Sequence, residues 1–239
     1  MSPSPPLTEA AATLWNSSDM YKITVTAEEI EKLEMVSFPG QIIVIDKADE
    51  SLQKAIAYLR RQKLLGFDTE SRPCFSADQP HYGVSLLQLS SAKRAYLFRI
   101  KKCGLPGGLC RILANPNIIK VGAAVHDDVR GLKRQHGFAP GGFVDLQTIG
   151  WEYGIRDKAV KKLAANILGI RISKTQQLSN WEAENLSEAQ RKYAATDAWV
   201  CREMYLKLLQ SEKHPLTPEE REPNRHKNEV HDQAHTEER

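Results

Sequence analysis

The chain has 239 residues, 41% of them hydrophobic and 26% charged, the profile of a soluble globular protein. Its formal net charge of +3 hides a basic middle, because residues 21–213 carry 29 basic and 21 acidic groups while 1–20 and 214–239 are acidic. No apolar run approaches the roughly 18–20 residues that cross a bilayer, and the N-terminus has no secretory or transit-peptide pattern, so a cytoplasmic location is expected.

Residues 1–20 open on a Ser/Pro cluster without periodicity and read as a flexible leader. Thr26-Ala27-Glu28-Glu29 is a capping box that opens a short helix with Ile30 and Leu33. Gln41–Ile45 reads as a strand, and Leu52, Ile56 and Leu59 follow at helical spacing. Leu64-Leu65-Gly66-Phe67 is a short buried strand that runs into Asp68-Thr69-Glu70. Val84–Leu89 and Ala95–Phe98 are strands separated by a turn, so three consecutive strands predict an antiparallel meander.

Helix and strand then alternate. Leu109–Leu113 reads as helix, Ile118–Val121 as strand, and Asp127–Gln135 as a helix with Val129 and Leu132 inward. Phe143-Val144 is a very short strand, after which Asp145 opens a helix. Asp157 is expected to cap a helix bearing Val160, Leu163 and Ile167, closed by Gly169. Ser187-Glu188-Ala189-Gln190 is a second capping box, opening a helix to about Gln210. These readings predict one α/β domain over 21–213, with a charged, disordered tail over 214–239.

The chemistry-bearing residues fall in three places. Strand alternation turns Asp68 and Glu70 to one face, where two carboxylates repel unless a cation joins them. All-oxygen ligands of this kind suit Mg²⁺ or Mn²⁺. Helical spacing puts Tyr193 and Asp197 on one face, four residues apart. Asp127 and Asp128 open a helix, where an acid also serves as a cap or a dipole partner. The four cysteines, Cys74, Cys103, Cys110 and Cys201, lack CxxC spacing, which argues against a zinc site and for free thiols. The basic middle suggests an anionic partner, with nucleic acid the commonest, although a solvated basic face explains the charge equally well.

Gly66–Glu70, Ser85–Leu89, Val121–Asp128 and Tyr193–Asp197 occur in that order. With Lys161–Ala164 and Lys174–Trp181, they resemble the DEDD superfamily of 3′–5′ exonucleases, in its tyrosine-bearing branch, over about 40–210. Within it the chain is similar to ribonuclease D and the Werner syndrome exonuclease domain. The resemblance implies a ribonuclease H-like mixed β-sheet, an antiparallel meander plus parallel strands flanked by helices. It maps the four acids onto Asp68, Glu70, Asp128 and Asp197, and the tyrosine onto Tyr193. It favours Asp128 over Asp127, because an apolar helix follows that acid in the family.

The resemblance also implies two divalent cations about 3.5–4 Å apart, hydrolysis of phosphodiester bonds of DNA or RNA from a free 3′ end, and 5′-mononucleotide products. Asp68 would bridge the ions, Glu70 and Asp197 would complete one shell, and Asp128 would hold the second ion through water. Candidate substrate contacts are Thr69, Phe75, Arg130, Lys133, Arg134, Lys174 and Trp181, with Tyr82 a further base-stacking candidate. Trp181 reads more readily as a core residue than as a stacking platform, and the basic side chains read equally as a solvated face. A catalytically weak nucleic-acid-binding module on the same fold is the alternative, and a two-metal hydrolase of small substrates is a third. The stretch after 213 is too short for the helical RNA-binding domains that follow the catalytic domain of ribonuclease D, so a complete ribonuclease D is not expected.

Overall fold

The computed structural model describes residues 20–74 and 83–222. The leader through residue 19, the tail from 223, and the stacking candidates Phe75 and Tyr82 lie outside the described residues. In chain order the elements are α1 (Ala27–Glu31), β1 (Gln41–Ile45), α2 (Glu50–Leu59), β2 (Leu64–Ser71), β3 (Val84–Ser90) and β4 (Arg94–Arg99). Then come α3 (Ile100–Cys103), α4 (Gly107–Ala114), β5 (Ile119–Gly122), α5 (Val125–Gln135), β6 (Phe143–Asp145) and α6 (Leu146–Ile149). A 3₁₀ turn at Gly150–Tyr153 leads to α7 (Val160–Leu168), α8 (Glu188–Leu208) and α9 (Pro218–Arg221).

The six strands form one mixed sheet in the order β1-β4-β3-β2-β5-β6. The meander is present: β2 pairs antiparallel with β3, and β3 with β4. The outer strands join in parallel, β1 on β4, β5 on β2 and β6 on β5. All seven residues of β3 are buried because helices cover both faces. Leu86 belongs to a core with α7 and α8, while Leu87 and Leu89 belong to a core with α2, α4 and α5. This is the period-2 alternation of a strand read from both sides.

The close approach of α8 to the sheet sets the site. A Cβ at Gly66 would lie 1.7 Å from the Ala198 carbonyl oxygen, so only glycine lets the helix rest on β2 there. Small residues Ala194, Ala195 and Ala198 form the helix side of that contact. Both capping boxes form as the sequence predicts, at Thr26 and Ser187.

Three local expectations are corrected by tertiary contacts. Asp157 does not cap α7, whose N-cap is Ala159. Its buried carboxylate instead accepts from Thr24 Oγ1 at 2.7 Å, Val25 N at 2.9 Å and Lys162 Nζ at 3.1 Å, tying the N-terminal segment down. Helix α5 starts at Val125, two residues earlier than expected, for a reason given below. The segment through 222, expected as disordered tail, packs on the domain: Leu216 is buried and bonds the Trp151 carbonyl, and Arg221 lies over the Trp151 ring.

Two of the basic groups counted from the sequence are interior. Lys120 is fully buried, its Nζ donating to the carbonyls of Ile112, Asn115, Ile118 and Gly141. Arg99, also buried, donates to the carbonyls of Ala183 and Glu184. Neither contributes to a basic outer surface. No helix among the described residues is long and apolar enough to cross a membrane.

Candidate active site

β2 delivers Asp68 and Glu70 to the face covered by α8, with a register shift at Glu70/Ser71 where the strand ends. Helix α8 brings Asp197 to the same place. One carboxylate oxygen from each of Asp68, Glu70 and Asp197 lies within 4.8 Å of the others. Asp128, in the first turn of α5, stands beside this trio and accepts from Thr69 Oγ1 at 2.6 Å. Thr69 therefore orients an acid, and it also lines the cavity described below. Asp127 points outward, is exposed, and pairs with Arg130 at 2.8 Å.

The start of α5 explains how Asp128 gets there. Ala124 adopts φ +59°, a left-handed conformation that a non-glycine residue enters at a cost of about 1–2 kcal/mol. The Asp145 carboxylate accepts from the N–H groups of Ala124 at 3.2 Å and Val125 at 3.0 Å, and from Gln147 N at 2.9 Å. One acid thus caps two helices, α5 across the sheet and its own α6. Asp145→Ala is expected to lower stability by about 1–2 kcal/mol. It is also expected to reduce activity, because Asp128 rides on the freed turn. A thermal melt together with a nuclease assay checks both; unchanged activity in a destabilised variant would detach Asp145 from the site.

Crowding of the acids shows in their ionisation. Burial, then the carboxylates of Glu70, Asp197 and Asp128, hold the Asp68 pKa well above the usual carboxylate range. Burial, then Asp197 and Asp128, push Glu70 up to about 9. Burial raises Asp128 to about 7 against the bond from Thr69, and raises Asp197 to about 7 against the bond from Tyr193. Among the described residues none of the four acids makes an ion pair, so no side-chain cation neutralises them. An all-oxygen donor set of this density fits a hard divalent cation.

A cavity of about 240 Å³ opens on the site, lined by Asp68, Glu70, Asp197, Tyr193, Lys161 and Lys174. Lys174 is exposed; its carbonyl accepts from Gln177 N at 3.3 Å, and its ammonium makes no ion pair among the described residues. Lys161, together with Gln177 on the same cavity wall, was missed as a site residue; only its place in the Lys161–Ala164 motif marked it, and its Nζ pairs with Glu31 at 3.2 Å. Arg130, Lys133 and Arg134 are exposed on α5 and do not line the cavity.

Trp181 is corrected from base-stacking candidate to core residue. It is 1% exposed, and its ring lies 5.9 Å from that of Tyr193 at 37°. Its contribution is to hold the tyrosine ring in place. Tyr193 is nearly buried, and burial followed by the Asp197 and Glu70 charges pushes its pKa far above the ordinary phenol value.

Comparison with known proteins agrees with this geometry. The family model for 3′–5′ exonucleases matches residues 43–211, the stretch that holds all five of these residues. Exonuclease 3′–5′ domain-containing protein 2 of Drosophila melanogaster is 34% identical over 150 residues, which is 61% of this chain and 25% of the relative. Ribonuclease D of Gluconacetobacter diazotrophicus is 28% identical over 178 residues, 72% of this chain and 43% of the relative. The chain thus spans less than half the length of these relatives.

Among solved structures, the EXO domain of Aedes aegypti Nibbler superposes with a TM-score of 0.65 at 20% identity, covering 73% of this chain and 92% of that one. Escherichia coli RNase D gives 0.62 at 23%, covering 71% and 44%. These two likenesses establish the fold, a ribonuclease H-like mixed sheet with flanking helices. With the family match over most of its length, the chain belongs to the 3′–5′ exonuclease family.

Proposed function

We propose that this domain is a metal-dependent 3′–5′ exonuclease of the tyrosine-bearing branch, hydrolysing phosphodiester bonds of DNA or RNA from a free 3′ end and releasing 5′-mononucleotides. The observation that carries the reading is the convergence of Asp68, Glu70 and Asp197 within 4.8 Å, beside Asp128, on a cavity edged by Tyr193. Asp68, Glu70 and Asp197 would hold one Mg²⁺ or Mn²⁺, and Asp68 with Asp128 a second. Such cations supply a lowered pKa for the attacking water and charge stabilisation for the leaving 3′-oxygen.

The chain's own residues do the positioning. Tyr193 keeps its proton at neutral pH, because burial and the neighbouring carboxylates disfavour the phenolate. It would therefore orient the attacking water by hydrogen bond rather than act as a general base, its hydroxyl leaving the Asp197 carboxylate it meets in the metal-free site once that acid holds a cation. Trp181 fixes the ring, and α8 fixes the spacing of Tyr193 to Asp197. Lys174, among the residues that line the cavity, would meet a backbone phosphate.

The direct test incubates the purified chain with Mn²⁺ and 5′-labelled single-stranded DNA, duplex DNA and RNA of one sequence. A ladder shortening from the 3′ end is expected, and the three arms rank the substrates. Complete survival of all three by a folded protein would leave the binding-module reading in its place. Tyr193→Phe is expected to lower kcat about a hundredfold with KM nearly unchanged, since only an orienting donor is lost. Steady-state kinetics on the preferred strand measure this, and a fall in affinity alone would contradict the role.

A further inference from the structure

The geometry points to Gln88 as a positioning residue for the Asp68 carboxylate. This deepens the metal-site reading above and rests on it. Gln88 is fully buried, and neither Nε2 nor Oε1 has a hydrogen-bond partner among the described residues. It lies on β3 directly opposite Asp68 of β2, with Leu97 of β4 on its other side. Residues directly opposite in an antiparallel ladder share a face, with Cβ atoms about 4.5–5.5 Å apart. The Gln88 amide is therefore within reach of the carboxylate.

A buried amide without a protein partner is destabilising, which singles it out as a group with a use in another state of the molecule. The polar side chains at the neighbouring ladder positions are committed: Ser90 Oγ donates to the Ser91 carbonyl, and Arg99 of β4 to the carbonyls of Ala183 and Glu184. Two of the neighbouring acids already have a side-chain donor: Thr69 serves Asp128, and Tyr193 serves Asp197. Asp68 has none among the described residues. Once Asp68 is ionised to hold a cation, its inner oxygen is a pure acceptor. Gln88 Nε2 is the uncommitted donor one ladder position away. Bonds of this kind orient a ligating carboxylate, and their loss weakens metal binding by about ten- to a hundredfold.

Gln88→Met tests the assignment, because it removes the amide at similar volume. The Mn²⁺ dissociation constant by calorimetry is expected to rise about tenfold. The kcat should fall while KM for a 3′-ended strand stays level, and the metal-free melting temperature should hold or rise. Leu97→Met disturbs the same core layer without touching the amide and is expected to keep wild-type Mn²⁺ affinity. Gln88→Leu is the second variant if the first does not fold. Wild-type Mn²⁺ affinity in the Gln88 variants, an equal loss in Leu97→Met, or failure of both Gln88 variants to fold would overturn the assignment. No Mn²⁺ uptake by the wild-type chain would overturn the metal-site reading itself, and this proposal with it.

Discussion

Asp68→Asn is expected to lower kcat by up to about a thousandfold and, at the same time, to raise the melting temperature of the metal-free protein. The activity loss follows from the position of Asp68 at the centre of the acid group, where Glu70, Asp197 and Asp128 all act on it. Removing one well-placed electrostatic group from a site of this kind forfeits up to about 4 kcal/mol of transition-state stabilisation, equivalent to three orders of magnitude. The stability gain has the same origin with the opposite sign. A neutral amide of equal shape spares folding the proton uptake that burial and the neighbouring Glu70 and Asp197 force on Asp68. Each kcal/mol recovered shifts the melting temperature of a chain this size by about 2–4 °C. Parallel melts in chelator and single-turnover assays measure the two effects. A variant that is inactive and also less stable would mean that Asp68 serves the fold rather than the chemistry. A variant that still degrades nucleic acid would remove Asp68 from the mechanism.

The second large effect is the pH dependence of metal-induced stabilisation. In the unfolded chain these carboxylates titrate near about 4. In the folded chain Glu70 is raised to about 9, and Asp128 and Asp197 to about 7. The unfolded state therefore releases its protons first, and stability is lost as pH rises through the folded values. The contribution of these acids to metal-free stability is expected to be fullest below about pH 4 and to weaken steadily toward pH 9. A divalent cation replaces those protons, so its benefit grows over the same interval. At a hundredfold excess over its dissociation constant, Mg²⁺ should raise the melting temperature at pH 8 by about 5–10 °C. At pH 5 the gain should be small. Differential scanning fluorimetry across that range checks it, and a gain that is flat or larger at pH 5 would contradict the acid cluster as the metal site.

Much of this was readable before any coordinates. Both capping boxes are complete within four residues, so Thr26–Glu29 and Ser187–Gln190 announced their helices. Alternation on β2 put Asp68 and Glu70 on one face, and the four-residue spacing on α8 did the same for Tyr193 and Asp197. The meander followed from short turns, and the order of motifs added the family. Each of these signals is local, set by one helical turn or one pleat.

What escaped depends on contacts between distant residues. Asp145 caps α5 from 20 residues away, which is why the helix begins at Val125 and why Ala124 tolerates a left-handed backbone. Asp157 looked like a local cap and is instead bonded to Val25, 132 residues away. Trp181 and Lys120 have side chains as suited to a surface as to an interior, and only the packing of α8 and α4 against the sheet placed them inside. The sequence by itself determined which residues carry the chemistry and which short elements hold them. The tertiary structure decided how those elements meet, because a carboxylate's partners, its burial and its pKa come from groups that chain folding, not chain order, brings near.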